Sequence, residues 1–200
     1  MLFRSLAICI LPAPFAFTLA VYYVLTLAYS LRLKRMMIVD VITLTALYTL
    51  RIIAGAVALE LPLTFWLLAF SAFFFLSLAF VKRYAELDVQ AKSGAERAHG
   101  RGYLTADASL VQTFGLMSGY AAVLVLALYL NSEAVGRLYR SPELIWATVP
   151  VLLYWISRIW MKAHRGEMHD DPLVFALLIG TTVLMSSIVF SFQRYFEYQI

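Results

Sequence analysis

The side chains that could do chemistry gather in two short stretches of an otherwise apolar chain. Residues 29–56, YSLRLKRMMIVDVITLTALYTLRIIAGA, supply Tyr29, Arg32, Lys34, Arg35, Asp40 and Arg51, and residues 81–88, VKRYAELD, supply Lys82, Arg83, Glu86 and Asp88. Guanidinium and ammonium groups bind phosphate oxygens, and carboxylates ligate Mg2+ or orient a cation, so the mixture suits an anionic, metal-bridged ligand. On a helix the 11 positions from Asp40 to Arg51 make about three turns and put both side chains on one face. Arg51 then binds a phosphate or holds Asp40, and Asp40 ligates Mg2+ or orients a basic group; the plainer alternative is an ion pair locking neighbouring helices. For the second stretch, Lys82 and Arg83 are phosphate contacts and Glu86 with Asp88 metal contacts, or Lys82 and Glu86 form an ordinary i,i+4 pair beside topogenic positive charge. No residue stands out as a nucleophile.

A charge deep in an apolar segment is costly, so it belongs against the protein interior or a wet cavity. The rest of the chain supplies those surroundings. Of 200 residues 62% are hydrophobic and 14% charged, the mean hydropathy is +0.81, and apolar runs long enough to cross a bilayer recur throughout. The fold class is all-α, a polytopic integral membrane helical bundle with about six spans, expected near 6–28, 37–59, 63–82, 108–130, 143–162 and 172–192. Residues 1–20 look like a secretory signal but lead into no soluble domain, so they read as a span bent at Pro12 and Pro14. The single cysteine, Cys9, excludes an intramolecular disulfide. No repeat or second domain is visible, and residues 1–200 read as one membrane domain.

Charge alternates from loop to loop. One side holds ten basic residues, Arg32, Lys34, Arg35, Lys82, Arg83, Lys92, Arg97, Arg101, Lys162 and Arg165, against Arg4, Arg137, Arg140 and Arg194 on the other. The positive-inside rule makes the richer side cytoplasmic and both termini external. This placement accounts for the net charge of +4 without nucleic acid. Eight of the twelve acidic residues also fall on or beside the basic side, which a mere membrane anchor would not need. The connection 90–107 carries three glycines and mixed charge and is either a flap over a polar site or a solvated connector. Gly100-Arg101-Gly102 is no phosphate-loop fingerprint. In residues 164–172, HRGEMHDDP, the residues His164, His169, Asp170 and Asp171 lack a zinc spacing, while Asp171 and Pro172 suit a helix start.

YSLRLKR followed by an Asp, then LRIIAGA, WLL and KRYAEL, resembles the pattern YSLxLKR, LRxxAGA, W and KRxxEL of the UbiA prenyltransferase superfamily, in its decaprenyl-phosphate phosphoribosyltransferase-like branch. GRGYLTAD, YWISRIW and HRGEMHDDP look like bacterial members in which this membrane domain often follows a phosphatase-like domain. The resemblance extends to about Leu177. It implies a nine-helix bundle with a cytoplasmic-side cavity open to lipid, in which a polyprenyl phosphate attacks the anomeric carbon of phosphoribosyl pyrophosphate and pyrophosphate leaves with Mg2+. It further implies Lys34, Arg35, Lys82 and Arg83 as phosphate contacts, Glu86 as a polar or metal contact, and Tyr29, Asp40 and Arg51 as lining of the polar cavity.

Two departures shape the reading. The family's NDxxDxxxD motif, its main Mg2+ site, is absent, so the chain resembles the C-terminal two-thirds of such an enzyme, its last six helices. After Phe175 to Leu177, relatives continue with a basic and acidic pair where Leu178 and Ile179 stand here. KRYAEL in place of the DxxxD motif of ordinary members favours the phosphoribosyl-like branch over transfer to an aromatic acceptor. The expectation is a fragment or truncated member of a Mg2+-dependent membrane transferase family, either inactive because half the metal site is missing or completed by helices from another polypeptide. The rival class is a non-enzymatic transporter or assembly subunit whose interior charges line a path.

Overall fold

Five helices cross the described residues, 13–94, 101–132 and 145–168, of the computed structural model. They are α1 (Ala13–Leu31), α2 (Val39–Ala58), α3 (Phe65–Lys92), α4 (Ala108–Leu130) and α5 (Thr148–His164), with short 3-10 turns at Leu33–Arg35 and Thr105–Asp107. The segments α1 to α4 are long and apolar enough to cross a membrane, so the chain is an all-α, multi-pass membrane bundle. The fifth expected span is the 17-residue α5. The sixth, 172–192, lies outside the described residues, as do Cys9, Pro12, His169, Asp170 and Asp171.

Local sequence explains the boundaries. Pro14 stands in the first turn of α1, where its missing N–H leaves no bond unmade. Thr64 caps α3, its hydroxyl oxygen accepting from the Leu67 amide at 3.3 Å. The third span, expected to end near 82, continues to Lys92. Its 28 residues rise about 42 Å, against roughly 30 Å of bilayer core, so the charged end of α3 stands clear of the apolar zone.

Helix α3 is the hub, packed against α2, α4 and α5, with α1 leaning on α2. The core lies toward its charged end, where Leu78, Phe80, Val81, Tyr84 and Leu87 meet Val111 and Val123 of α4 and Trp155, Ile156, Ile159 and Trp160 of α5. Ser77 pins the three helices: its hydroxyl donates to the Gly115 carbonyl at 2.7 Å and accepts from the Trp160 indole N–H at 3.1 Å. The Trp160 ring fills the space beside Gly115, since a Cβ there would fall 2.1 Å from it. By contrast Phe17, Val24, Leu27 and Leu31 of α1 are all exposed, a row suited to lipid.

Because neither the ring nor the α4 backbone has room to yield, Gly115→Ala is expected to destabilise the bundle by about 1–3 kcal/mol. Chemical unfolding in mild detergent would measure this, and an unchanged midpoint would show that Trp160 is not wedged as described.

Candidate functional site

The basic ends of the helices converge. Asp40 opens α2, Arg83 and Glu86 lie on the charged end of α3, Tyr29 ends α1, and Arg101 and Tyr103 lead into α4. Asp40 and Arg83 have no solvent exposure. Their closest approach, Arg83 Nη2 to Asp40 Oδ2, is 2.6 Å, an ion contact off hydrogen-bond alignment that leaves Nε and Nη2 of Arg83 without an aligned acceptor in the protein. Arg83 Nη1 donates to Glu86 Oε2. Arg101 completes the group, its Nε 3.1 Å from Glu86 Oε2, its Nη1 3.6 Å from Asp40 Oδ2 and 3.3 Å from the Tyr29 hydroxyl.

Tyr103 seals the cluster from below. Its hydroxyl donates to Asp40 Oδ1 at 2.7 Å and accepts from the Ile38 amide at 2.8 Å, and its ring lies under the Arg83 guanidinium at 5.8 Å. Ile38 has φ +65°, a strained conformation for a β-branched residue. Gly102 lets the loop come that close, because a Cβ there would fall 2.7 Å from the Arg35 carbonyl oxygen and 3.0 Å from the Met37 amide. Residues 101–103 are therefore docked against the start of α2, and the solvated-connector alternative does not describe them.

Burial pushes the Tyr103 hydroxyl well above the ordinary tyrosine value, and the hydrogen bond to Asp40 and that carboxylate's charge push it further. For Arg101 burial pulls downward, but the bond to Tyr29 and the charges of Glu86 and Asp40 outweigh it and raise the guanidinium above its usual value. Two carboxylates thus face two guanidiniums, and the cluster is neutral as it stands.

Of the residues singled out from sequence, Tyr29, Asp40, Arg83 and Glu86 come together. Lys34 and Lys82 are half-buried at the same end and Arg35 is exposed there. Arg51 does not hold Asp40. The two share a helical face, but about 16 Å of helix separates them, and Arg51 is bound to Tyr22 of α1 instead. Asp88 pairs with Lys92 at 2.6 Å and does not join Glu86, because positions i and i+2 point to different sides of a helix. Among the described residues no three His, Cys, Asp or Glu side chains converge to hold a metal, and both carboxylates of the cluster already face guanidiniums. These residues do not by themselves fit a Mg2+ cage.

The sequence reading missed the structural roles of Arg101 and Tyr103, which stand 61 and 63 positions from Asp40. Their one signal was an aromatic directly after Gly-Arg-Gly. His164 closes a smaller contact at the same end, its Nδ1 3.1 Å from the Tyr84 hydroxyl with the two rings stacked.

No family model matches the chain. It is similar to an uncharacterized protein, y4nM, of Sinorhizobium fredii, with 40% identity over 178 residues, 88% of this chain and 34% of that protein. It is also similar to the nodulation protein NoeC of Azorhizobium caulinodans, 39% identical over 173 residues, 85% of this chain and 55% of that protein. Decaprenyl-phosphate phosphoribosyltransferase of Mycolicibacterium smegmatis is 40% identical over 86 residues, 43% of this chain and 27% of the enzyme. The chain thus spans about a third and about half of the lengths of the first two. The phosphoribosyltransferase matches support a UbiA-like family and relate the chain to transferases.

Removing one member of a buried ion pair strands the other. Arg83→Met is therefore expected to cost about 3–5 kcal/mol, and adding Asp40→Asn to recover part of it; additive losses in unfolding experiments would break the pairing. Tyr103 has its own signature. A hydroxyl raised on folding supports the fold fully below the unfolded tyrosine value, about 10, and that support fades as pH climbs toward the folded value. Tyr103→Phe should therefore flatten the loss of stability above pH about 10, and an identical loss in both proteins would contradict the buried, Asp40-bound hydroxyl.

Proposed function

We propose that this chain is the membrane part of a UbiA-type transferase acting on a polyprenyl phosphate, receiving a 5-phosphoribosyl group from phosphoribosyl pyrophosphate. The observation that carries the reading is the buried Arg83–Asp40 pair, extended by Arg101 and Glu86, at the basic end of an apolar bundle. The similarity over part of the chain to decaprenyl-phosphate phosphoribosyltransferases supports this choice of donor and acceptor.

In this reading the lipid phosphate oxygen attacks the anomeric carbon and the carbon–oxygen bond to pyrophosphate breaks. Lys34, Arg35, Lys82 and Arg101 hold the phosphate oxygens of donor and acceptor, and Arg83, fixed by Asp40, faces the charge that builds on the leaving group. Glu86 orients Arg101 and Arg83 until an anion takes them over. Arg51, three turns along α2, is not assigned to this site. Mg2+ remains part of the proposal as the ion a diphosphate brings on its own oxygens. The chain's apolar exterior solvates the isoprenoid tail, and the bacterial inner membrane is the proposed location.

The test is transfer of label from phosphoribosyl pyrophosphate to decaprenyl phosphate in proteoliposomes with Mg2+, for the chain alone and for its native longer polypeptide if the gene encodes one. Product is expected, falling about 100-fold or more in Lys34→Ala and Lys82→Ala while insertion and unfolding midpoints hold. Product undiminished by both substitutions, or none in any form, would sink the proposal and favour a non-enzymatic membrane subunit.

A further inference from the structure

Arg51 sits where a free cation is least tolerated. Its guanidinium bonds the Tyr22 hydroxyl from Nε at 3.3 Å and Nη2 at 2.8 Å and lies over the rings of Tyr22 at 5.5 Å and Tyr48 at 5.2 Å. Tyr22 stands nine residues from each end of α1, so the group is held halfway along that helix. Tyr48 is three residues back toward the start of α2, so the side chain runs toward the bilayer centre and does not snorkel to the nearer surface. The residue is exposed, and among the described residues no carboxylate lies within ion-pair reach of it.

The face around it is shaped for a close neighbour. Arg51, Gly55 and Leu59 form an exposed i,i+4 row on α2. Nothing among the described residues lies within 4 Å of where a Gly55 Cβ would be, so no contact there calls for glycine. Small residues at such positions let a second helix approach backbone to backbone.

We propose that the Arg51–Gly55–Leu59 face of α2, with Tyr22 of α1, docks a membrane helix of another segment that carries an Asp or Glu at mid-bilayer depth. Charge complementarity selects the occupant. A guanidinium with five N–H donors and one hydroxyl acceptor has donors left for a carboxylate, the bidentate partner that suits its fork. Among the described residues none is supplied, and the apolar runs 1–12 and 172–192 contain no Asp or Glu. A second copy offers none at that depth either, since the acids of the described helices lie at helix ends or in the charged cluster. A phospholipid headgroup stays at the surface, about two turns beyond Arg51 on the nearer side.

The test uses the full chain in lipid nanodiscs, labelled with a donor fluorophore, and a leucine-rich transmembrane peptide carrying one Asp at its midpoint and an acceptor fluorophore. The Asp peptide is expected to bind roughly three- to thirtyfold tighter than its Asn twin. Arg51→Gln should erase that preference. Arg158→Gln, which removes a second exposed helix arginine set on a tyrosine, should leave it intact. Gly55→Leu should weaken both peptides by blocking close approach, and it tests the face without touching the charge. A preference that survives Arg51→Gln, no preference at all, or displacement of the Asp peptide by decaprenyl phosphate in an Arg51-dependent manner would overturn the proposal, the last by assigning the cation to a lipid phosphate.

Discussion

Arg83 carries a full charge on a side chain without solvent exposure, and the charged end of the bundle is built around compensating it. Moving such a group out of water costs several kcal/mol even after relaxation, so its partners must be in place once the helices are packed. Asp40 meets it from α2, Glu86 from its own helix, and the Tyr103 ring from the loop before α4. Because the three partners come from three parts of the chain, compensating one guanidinium also sets how α2, α3 and the entry to α4 lie together.

The loop that completes this arrangement is held at a local cost. Ile38 at positive φ stores on the order of 1–3 kcal/mol, and its amide would be orphaned without the Tyr103 hydroxyl. Gly102 is what lets Tyr103 reach in, since any side chain there would strike the Arg35 carbonyl. A strained turn, a glycine and a phenol thus act as one device that holds the Asp40 carboxylate facing Arg83.

Much of this was legible in the amino-acid sequence, and the failures have a common cause. Spans could be read because hydropathy is a local property, and four expected spans fall on α1 to α4. The third was placed ten residues short because charged residues end an apolar run without ending a helix: Lys82 to Lys92 keep good helix formers, and α3 runs on into water. Asp40, Arg83 and Glu86 stood out as charges beside apolar runs. Pairing did not follow from that, because helical periodicity places residues on a face and says nothing about which helix packs there. Asp40 and Arg51 share a face and still cannot touch, while Asp40 and Tyr103 share only the tertiary fold. Arg101 and Tyr103 lie in a glycine-bearing loop whose composition suits a solvated connector as well as a docked strap.

The helix arginines divide by what surrounds them. Arg83 has its counter-charges among the described residues, so the cluster is closed as it stands. In the proposed transferase an entering phosphate takes guanidinium bonds over from Glu86 or Asp40, which a group with more negative charge than one carboxylate does favourably. Among the described residues Arg51 has two tyrosines, which stabilise a cation through their rings and one hydroxyl but cannot neutralise it. An ion at mid-bilayer without a counter-charge is the arrangement membrane proteins avoid most consistently. The same rule therefore yields a closed site where the chain satisfies it and an open face where it does not.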